Sequence, residues 1–168
     1  MSKLESFIRR MLAQRDGLNF AAREIKEIPG SVLELGLGNG RTYDHLRQLM
    51  PDRDIYVFER DVKSFSSCTP PKKRLFVGEV TETLFQAAEI LGKTAALAHY
   101  DIATTSSESN RKLADRVGPL LNELMLPGSL VVSSVAMTVR QWSIVPKPVD
   151  IKPGRYFIYR VSGSLGRK

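Results

Sequence analysis

Cysteine is almost absent from this chain, since Cys68 is the single cysteine among 168 residues. A lone cysteine excludes an internal disulfide framework and is typical of proteins in a reducing compartment. Long apolar runs are missing too, and a stretch such as SLVVSSVAM (129–137) is about half as long as a bilayer-spanning helix. The first residues contain neither an apolar signal core nor a cleavage site. We therefore expect a cytoplasmic protein with no membrane partner.

The sequence also lacks the mixture of basic and aromatic residues that forms a stacking surface for nucleic acids. Its net charge of +7 is concentrated near one end. Residues 140–168 carry seven basic groups and one acidic group, whereas residues 30–139 carry twelve and thirteen. Such a basic segment can attract an anionic partner or simply aid solubility. A nucleic-acid partner is therefore not favoured, but it stays open.

The length and the composition, 42% hydrophobic and 26% charged, predict a single domain over residues 1–168. The apolar spacing predicts two N-terminal helices, one over residues 3–15 and a second between Gly17 and Pro29. These helices in segment 1–29 could cover a binding site as a lid or form the surface of a homodimer.

Beyond residue 30, short apolar strands alternate with amphipathic helices. We predict strands at 32–35, 54–60, 75–80, 95–102 and 127–134, with a final pair around 139–145 and 155–161. Near-continuous apolar strands separated by helices are typical of a parallel sheet covered on both faces. The fold class predicted is therefore α/β, with a doubly wound, mostly parallel sheet of about seven strands and an antiparallel C-terminal strand pair.

A glycine turn, GLGNG (36–40), joins the first strand of this sheet to the following helix. In a doubly wound sheet this turn lies where ligands bind. A dinucleotide fits poorly, because the nicotinamide fingerprint is G-x-G-x-x-G and is one residue longer. Glu34, two residues before the turn, would repel a pyrophosphate but would suit a ligand with an ammonium group and a positively charged sulfur.

LELGLGNG resembles the first motif of the class I S-adenosylmethionine-dependent methyltransferases, an acidic residue followed by G-x-G-x-G. Glu59 resembles that family's ribose-binding carboxylate at the end of strand two. VGEVTETL is similar to its adenine-binding stretch, and LMLPGSLVVSS to its proline-glycine turn before strand five. The resemblance implies a methyltransferase with S-adenosylmethionine as cofactor and S-adenosylhomocysteine as product.

The resemblance also implies which residues bind the cofactor. Arg41 would meet the methionine carboxylate at a helix N-terminus, and an exposed position is its alternative. The full set implied is Glu34, Gly36, Leu37, Gly38, Asn39, Gly40, Arg41, Glu59, Arg60, Glu79, Val80 and Asp101.

Catalytic candidates are His99 and Asp101 at the end of strand four. They lie two residues apart, and so they would face the same side of a regular strand. HYD resembles a strand end of small-molecule O-methyltransferases, whose metal-dependent members bind a cation through the aspartate. We predict no metal here, because one carboxylate is a poor site for a hard cation. For His99, packing against a backbone group is an equal alternative.

The acceptor is predicted to be a small molecule, because the chain lacks the Asn/Asp-Pro-Pro-aromatic run of amino-methylating nucleic-acid enzymes. Two alternatives stay open. One is an RNA or protein methyltransferase that uses the basic C-terminal segment. The other is a non-catalytic protein that binds S-adenosylmethionine or S-adenosylhomocysteine.

Overall fold

The structure is a computed structural model that describes residues 1–104, 106–148, 151 and 155–163. Its elements are, in chain order, α1 (Lys3–Glu24), β1 (Ser31–Leu35), α2 (Arg41–Leu49), β2 (Ile55–Glu59), β3 (Leu75–Val77), α3 (Val80–Leu91), β4 (Ala95–Tyr100), α4 (Ser107–Asn122), β5 (Met125–Ser133), β6 (Trp142–Ile144) and β7 (Phe157–Val161). Two short 3-10 turns, Ser66–Cys68 and Lys72–Arg74, lie between β2 and β3.

Seven strands form one sheet in the order β3-β2-β1-β4-β5-β7-β6. The first five pair in parallel, whereas β7 runs antiparallel to both β5 and β6. The predicted mostly parallel sheet with an antiparallel C-terminal pair is therefore confirmed. The strand order reverses between β1 and β4, so the carboxyl ends of these two strands form the crevice where such sheets bind ligands.

Helices cover both faces of the sheet. On one face α1 and α2 contribute Leu18, Ala21 and Leu46 to a core with the sheet residues Val32 and Val132. The opposite core is built by side chains of α3 and α4, and it includes Tyr100, which is fully buried. β1 and β4 are buried along their whole lengths, which explains why both read as continuous apolar strands.

The prediction of two N-terminal helices is wrong, because α1 continues without a break through Gly17. This glycine keeps its backbone N–H, and a methyl group there would make ordinary contacts 3.5 Å from Val132 and 3.7 Å from Ile151. A mid-helix glycine costs only about 1 kcal/mol relative to alanine. Burial of Leu18 and Ala21 immediately after it outweighs that cost.

One difference in element bounds matters for the site. β3 ends at Val77 instead of residue 80, because Gly78 turns the chain with a φ of 146° and α3 begins at Val80. Residues 78–80 therefore form a turn and the start of a helix at the edge of the sheet.

No described helix is long and apolar enough to cross a membrane.

Candidate active site

A cavity of about 680 Å³ opens at the carboxyl edge of the sheet. This volume lies within the usual range for small-molecule sites. Its walls come from the glycine turn, the end of β2, the start of α3, the segment after β4 and the N-terminal half of α1. The cavity therefore occupies the crevice where the strand order reverses.

The three glycines of the turn have positive φ angles, 95° at Gly36, 50° at Gly38 and 84° at Gly40. A Cβ at Gly36 would lie 2.9 Å from the carbonyl oxygen of Asp101, and a Cβ at Gly40 would lie 2.5 Å from the Cβ of Cys68. A Cβ at Gly38 would meet nothing within 4 Å. Gly36 and Gly40 thus permit close packing, while Gly38 leaves the space before the turn open to a ligand.

Glu59 ends β2 and lines the cavity. Its Oε2 accepts from the backbone N–H of Leu37 at 2.9 Å and of Gly38 at 3.1 Å. Its Oε1 accepts from the N–H groups of Arg60 at 2.8 Å and Asp61 at 3.2 Å. These donors fix the carboxylate beside the glycine turn. Since a carboxylate has about four acceptor positions, a ligand hydroxyl would share or replace one of the two longer bonds.

Glu79 and Val80 line the cavity at the start of α3. Glu79 lies 3.6 Å from Arg60 in an exposed ion pair, and Arg60 lines the cavity as well. Val80 is 8% exposed and gives an apolar surface against which a flat ring can pack.

Arg41 and Asn39 also line the cavity. Arg41 is the first residue of α2, and its guanidinium lies 5.9 Å from the centroid of the Phe65 ring. A cation at a helix N-terminus, where backbone N–H groups are free to donate, makes this corner suitable for a carboxylate.

Asp101 follows β4 and lines the cavity with its side chain 14% exposed. Its Oδ2 accepts from Gln14 Nε2 at 2.8 Å and from Arg10 Nη2 at 3.1 Å. Sequence reasoning missed both donors, which lie on α1 and also line the cavity. A signal existed in their spacing, because Arg10 and Gln14 are four residues apart and share one helix face.

Glu34 and His99 form a pair beneath the cavity floor, with Glu34 Oε2 2.7 Å from His99 Nδ1. Both side chains are fully buried, and neither lines the cavity. The Thr42 hydroxyl donates to the other oxygen of Glu34, and Gln14 Nε2 lies 3.5 Å from His99 Nε2. Burial opposes a charge on His99, but the Glu34 carboxylate outweighs it and raises the pKa of the imidazole above its ordinary value.

The structure therefore places most of the predicted site residues at one cavity, but not all of them. Glu34 faces His99 rather than the cavity, so its carboxylate is not aimed at a ligand. His99 is fully buried and does not line the cavity. Gly40 supports the turn from behind, against Cys68. Among the described residues, no cluster of three His, Cys, Asp or Glu side chains could hold a metal ion.

A family model described as S-adenosyl-L-methionine methyltransferase matches residues 1–161 of this chain. The chain belongs to this methyltransferase family. Its methyl donor is therefore S-adenosyl-L-methionine, and the open space before Gly38 together with the fixed Glu59 carboxylate fits an adenosyl ligand. Among curated proteins, none matches the chain.

The methyltransferase is 42% identical to an S-adenosyl-L-methionine methyl transferase from Silicibacter pomeroyi DSS-3, with a TM-score of 0.92 over 96% of this chain and 99% of that chain. Distant structures share the fold alone. A 16S rRNA (adenine(1408)-N(1))-methyltransferase from Catenulisporales acidiphilia, solved with S-adenosylmethionine, has a TM-score of 0.55 at 10% identity over 90% and 94% of the two chains. The antibiotic-resistance methyltransferase Kmr has a TM-score of 0.55 at 12% identity, over 84% and 91%.

Proposed function

We propose that this methyltransferase binds its cofactor along the glycine turn and methylates a small acceptor held between α1 and the segment after β4. The observation that carries the proposal is that residues from different elements line one cavity. Gly38, Glu59 and Val80 come from the glycine turn, β2 and α3, whereas Arg10, Gln14 and Asp101 come from α1 and the segment after β4. The first group suits an adenosyl ligand, and the second presents polar groups to a second ligand.

The cofactor supplies an electrophilic methyl carbon, and the residues of this chain supply position and electrostatics. Glu59 would accept from a ribose hydroxyl by sharing or replacing one of its longer bonds, to Gly38 or Asp61, while Val80 would pack against the adenine and Glu79 would lie at its edge. Leu37, Asn39 and Arg60 would complete the lining around the cofactor, and Arg41 would attract the methionine carboxylate. Holding two reactants in line accounts for much of the rate enhancement of a displacement reaction.

Asp101 is the group that we assign to the acceptor. Arg10 and Gln14 both donate to its Oδ2, which leaves Oδ1 as the oxygen that an acceptor can engage. A carboxylate in that position accepts a proton from an acceptor hydroxyl or amine, or orients it for attack. His99 acts through Gln14 and Glu34 as a positioning residue, because it does not reach the cavity.

A compact acceptor is supported by the size of the cavity and by the position of α1. One cavity of about 680 Å³ has to hold both reactants, and α1 forms part of its wall. A large substrate would have to present one small group through the opening beside α1.

We further place the reaction in the cytoplasm, on the ground that the single cysteine is typical of a reducing compartment.

The test is a screen with cofactor that carries a labelled methyl group, against pools of small molecules, RNA and protein. We expect label on a small molecule, and an Asp101→Asn variant that transfers it at least about 100-fold more slowly, as for loss of an acid–base group. Asp115→Asn, which changes an exposed aspartate on α4, is the matched control and should transfer at the wild-type rate.

Two outcomes would contradict the proposal. Label found only on RNA or protein would replace the small acceptor with a macromolecule. Tight cofactor binding without transfer to any pool, together with unchanged binding by Asp101→Asn, would indicate a protein that binds the cofactor without catalysis.

A further inference from the structure

The first ten residues of α1, 3–12, contribute no buried side chain. Leu4, Ile8 and Leu12 are spaced four residues apart on one face of the helix, and they are 68%, 47% and 43% exposed. We call these three residues the apolar strip. Phe7, 51% exposed, lies beside it. Single exposed apolar residues are ordinary, but a contiguous group of this kind marks a contact surface.

The exposed charges beside the apolar strip are mostly basic. Lys3 and Arg9 are exposed within residues 3–12, where Glu5 is the one exposed acidic side chain, and Arg15, further along α1, is exposed but bonds the neighbouring Asp16. Arg155 Nη2 donates to the hydroxyl of Ser6 at 3.1 Å. That contact brings one more basic side chain, Arg155, against α1.

The charge around the strip distinguishes between two kinds of occupant. A second copy of the chain would bury the strip but would bring two basic surroundings together, which is unfavourable. An anionic lipid surface satisfies both features, because apolar side chains enter the boundary between headgroups and acyl chains while lysine and arginine meet the phosphates.

We propose that the N-terminal half of α1 docks this methyltransferase on an anionic lipid membrane, with the apolar strip inserted at the level of the headgroups. A helix that lies on a bilayer needs no spanning length, so the lack of a spanning helix among the described residues does not bear on it. The proposal replaces our expectation from the sequence that the protein has no membrane partner.

Docking in this manner would orient the active site. Phe7, Arg10 and Met11 line the cavity and belong to the same helical turns as the strip. The cavity opening would therefore lie next to the bilayer surface. The proposal rests on the exposed face of α1 and its charge, and not on the identity of the methyl acceptor.

The test is co-sedimentation of the full chain with vesicles of phosphatidylcholine alone and of phosphatidylcholine with phosphatidylglycerol. The wild type is compared with a Leu4→Ser/Ile8→Ser variant, whose changed residues do not line the cavity. Ile144→Ser is the matched control, because Ile144 is 69% exposed but lies on the edge strand β6. Cofactor affinity and light scattering are measured on each protein, to check the fold and the oligomeric state.

We expect the wild type and Ile144→Ser to partition onto phosphatidylglycerol vesicles at least about tenfold more strongly than onto phosphatidylcholine, and the double variant to lose most of this binding. Equal binding to both kinds of vesicle, or none, would overturn the proposal. Unchanged binding by the double variant would do the same, because the basic groups would then suffice for any polyanion. A wild-type dimer that the double variant converts to a monomer would assign the strip to a second copy.

Discussion

Gly38 differs from the other two glycines of the turn in what surrounds it. Gly36 and Gly40 are required by neighbouring atoms of the protein, whereas a side chain at Gly38 would enter open space at the cavity. A ligand that passes close to the backbone needs that space. A side chain at Gly38 would therefore have two separate effects. It would strain the backbone of the turn, and it would occupy the space that the ligand needs.

We predict that Gly38→Ala weakens cofactor binding by about 1–3 kcal/mol, the usual cost of overpacking. It should also lower stability by about 1–2 kcal/mol, because an L side chain is strained at positive φ. Gly92→Ala is the matched control. Gly92 has a φ of 62° and open space around it, but it lies at the end of α3, away from the cavity.

The comparison is made by calorimetric titration and thermal unfolding. Both variants should lose stability, and only Gly38→Ala should lose cofactor affinity. Equal affinity of Gly38→Ala and the wild type would show that the cofactor does not approach the turn.

Sequence reasoning could find the turn and its glycines, because their spacing is local. It could not find the direction of Glu34, which depends on a neighbouring strand. Glu34 and His99 are register partners on β1 and β4, two central strands that are far apart in sequence. A signal was available, however. Both strands are predicted to be buried, and a buried carboxylate and a buried imidazole each need a polar partner, so the two groups can be expected to pair.

At the scale of elements, the Glu34–His99 pair joins four of them. Thr42 on α2 bonds to the pair that lies between β1 and β4, and Gln14 Nε2 on α1 lies 3.5 Å from His99 Nε2. Gln14 then connects the pair to Asp101. The buried charges thus fix α1 in the position where Arg10 and Gln14 reach the cavity.

We predict that His99→Leu lowers the free energy of unfolding by about 3–5 kcal/mol, because it leaves the Glu34 carboxylate buried without its partner. The double variant Glu34→Leu/His99→Leu should lose much less, since no uncompensated charge remains. Chemical denaturation of the three proteins measures this difference. A double variant as unstable as the single one would show that the site requires the charges themselves.

The same pair predicts how stability depends on pH. The pKa of His99 is raised in the folded protein, so its contribution is fully present below the ordinary value of 6.5 and is lost as pH rises through the folded-state pKa. The wild type should therefore lose stability relative to the double variant above about pH 6.5. A constant difference across that range would contradict a protonated His99.

The contribution of α1 to the site could not be predicted from sequence for a physical reason. Arg10 and Gln14 contact Asp101 across 91 and 87 residues, and only the packing of α1 on the sheet brings them there. The break predicted at Gly17 left both residues on the first predicted helix but separated that helix from Leu18 and Ala21, whose burial packs α1 against the sheet. Glycine interrupts a helix weakly, and burial decides whether the helix continues.

At the scale of the whole molecule, the parallel sheet and its antiparallel end follow from the order and apolarity of the segments. The position of the cavity can also be predicted from the sequence, because the first turn lies at the carboxyl edge of such a sheet. The exposed surface cannot be predicted in this way. The exposed strip of α1 reads in the sequence as an ordinary amphipathic face, and only the packing shows that the sheet does not cover it.

The central claim is that the cavity beside the glycine turn holds the adenosyl cofactor through Glu59. The most direct measurement is calorimetric titration of the wild type, Glu59→Gln and Glu82→Gln with S-adenosylmethionine, S-adenosylhomocysteine and NAD. Glu82 is the matched control, because it is exposed on α3 and does not line the cavity.

We predict that the wild type and Glu82→Gln bind the first two ligands and not NAD. Glu59→Gln should lose about 1.5–3 kcal/mol of binding free energy, the usual contribution of hydrogen bonds to a charged group. Binding of NAD instead, or equal affinity of Glu59→Gln and the wild type, would contradict the assignment of the cavity.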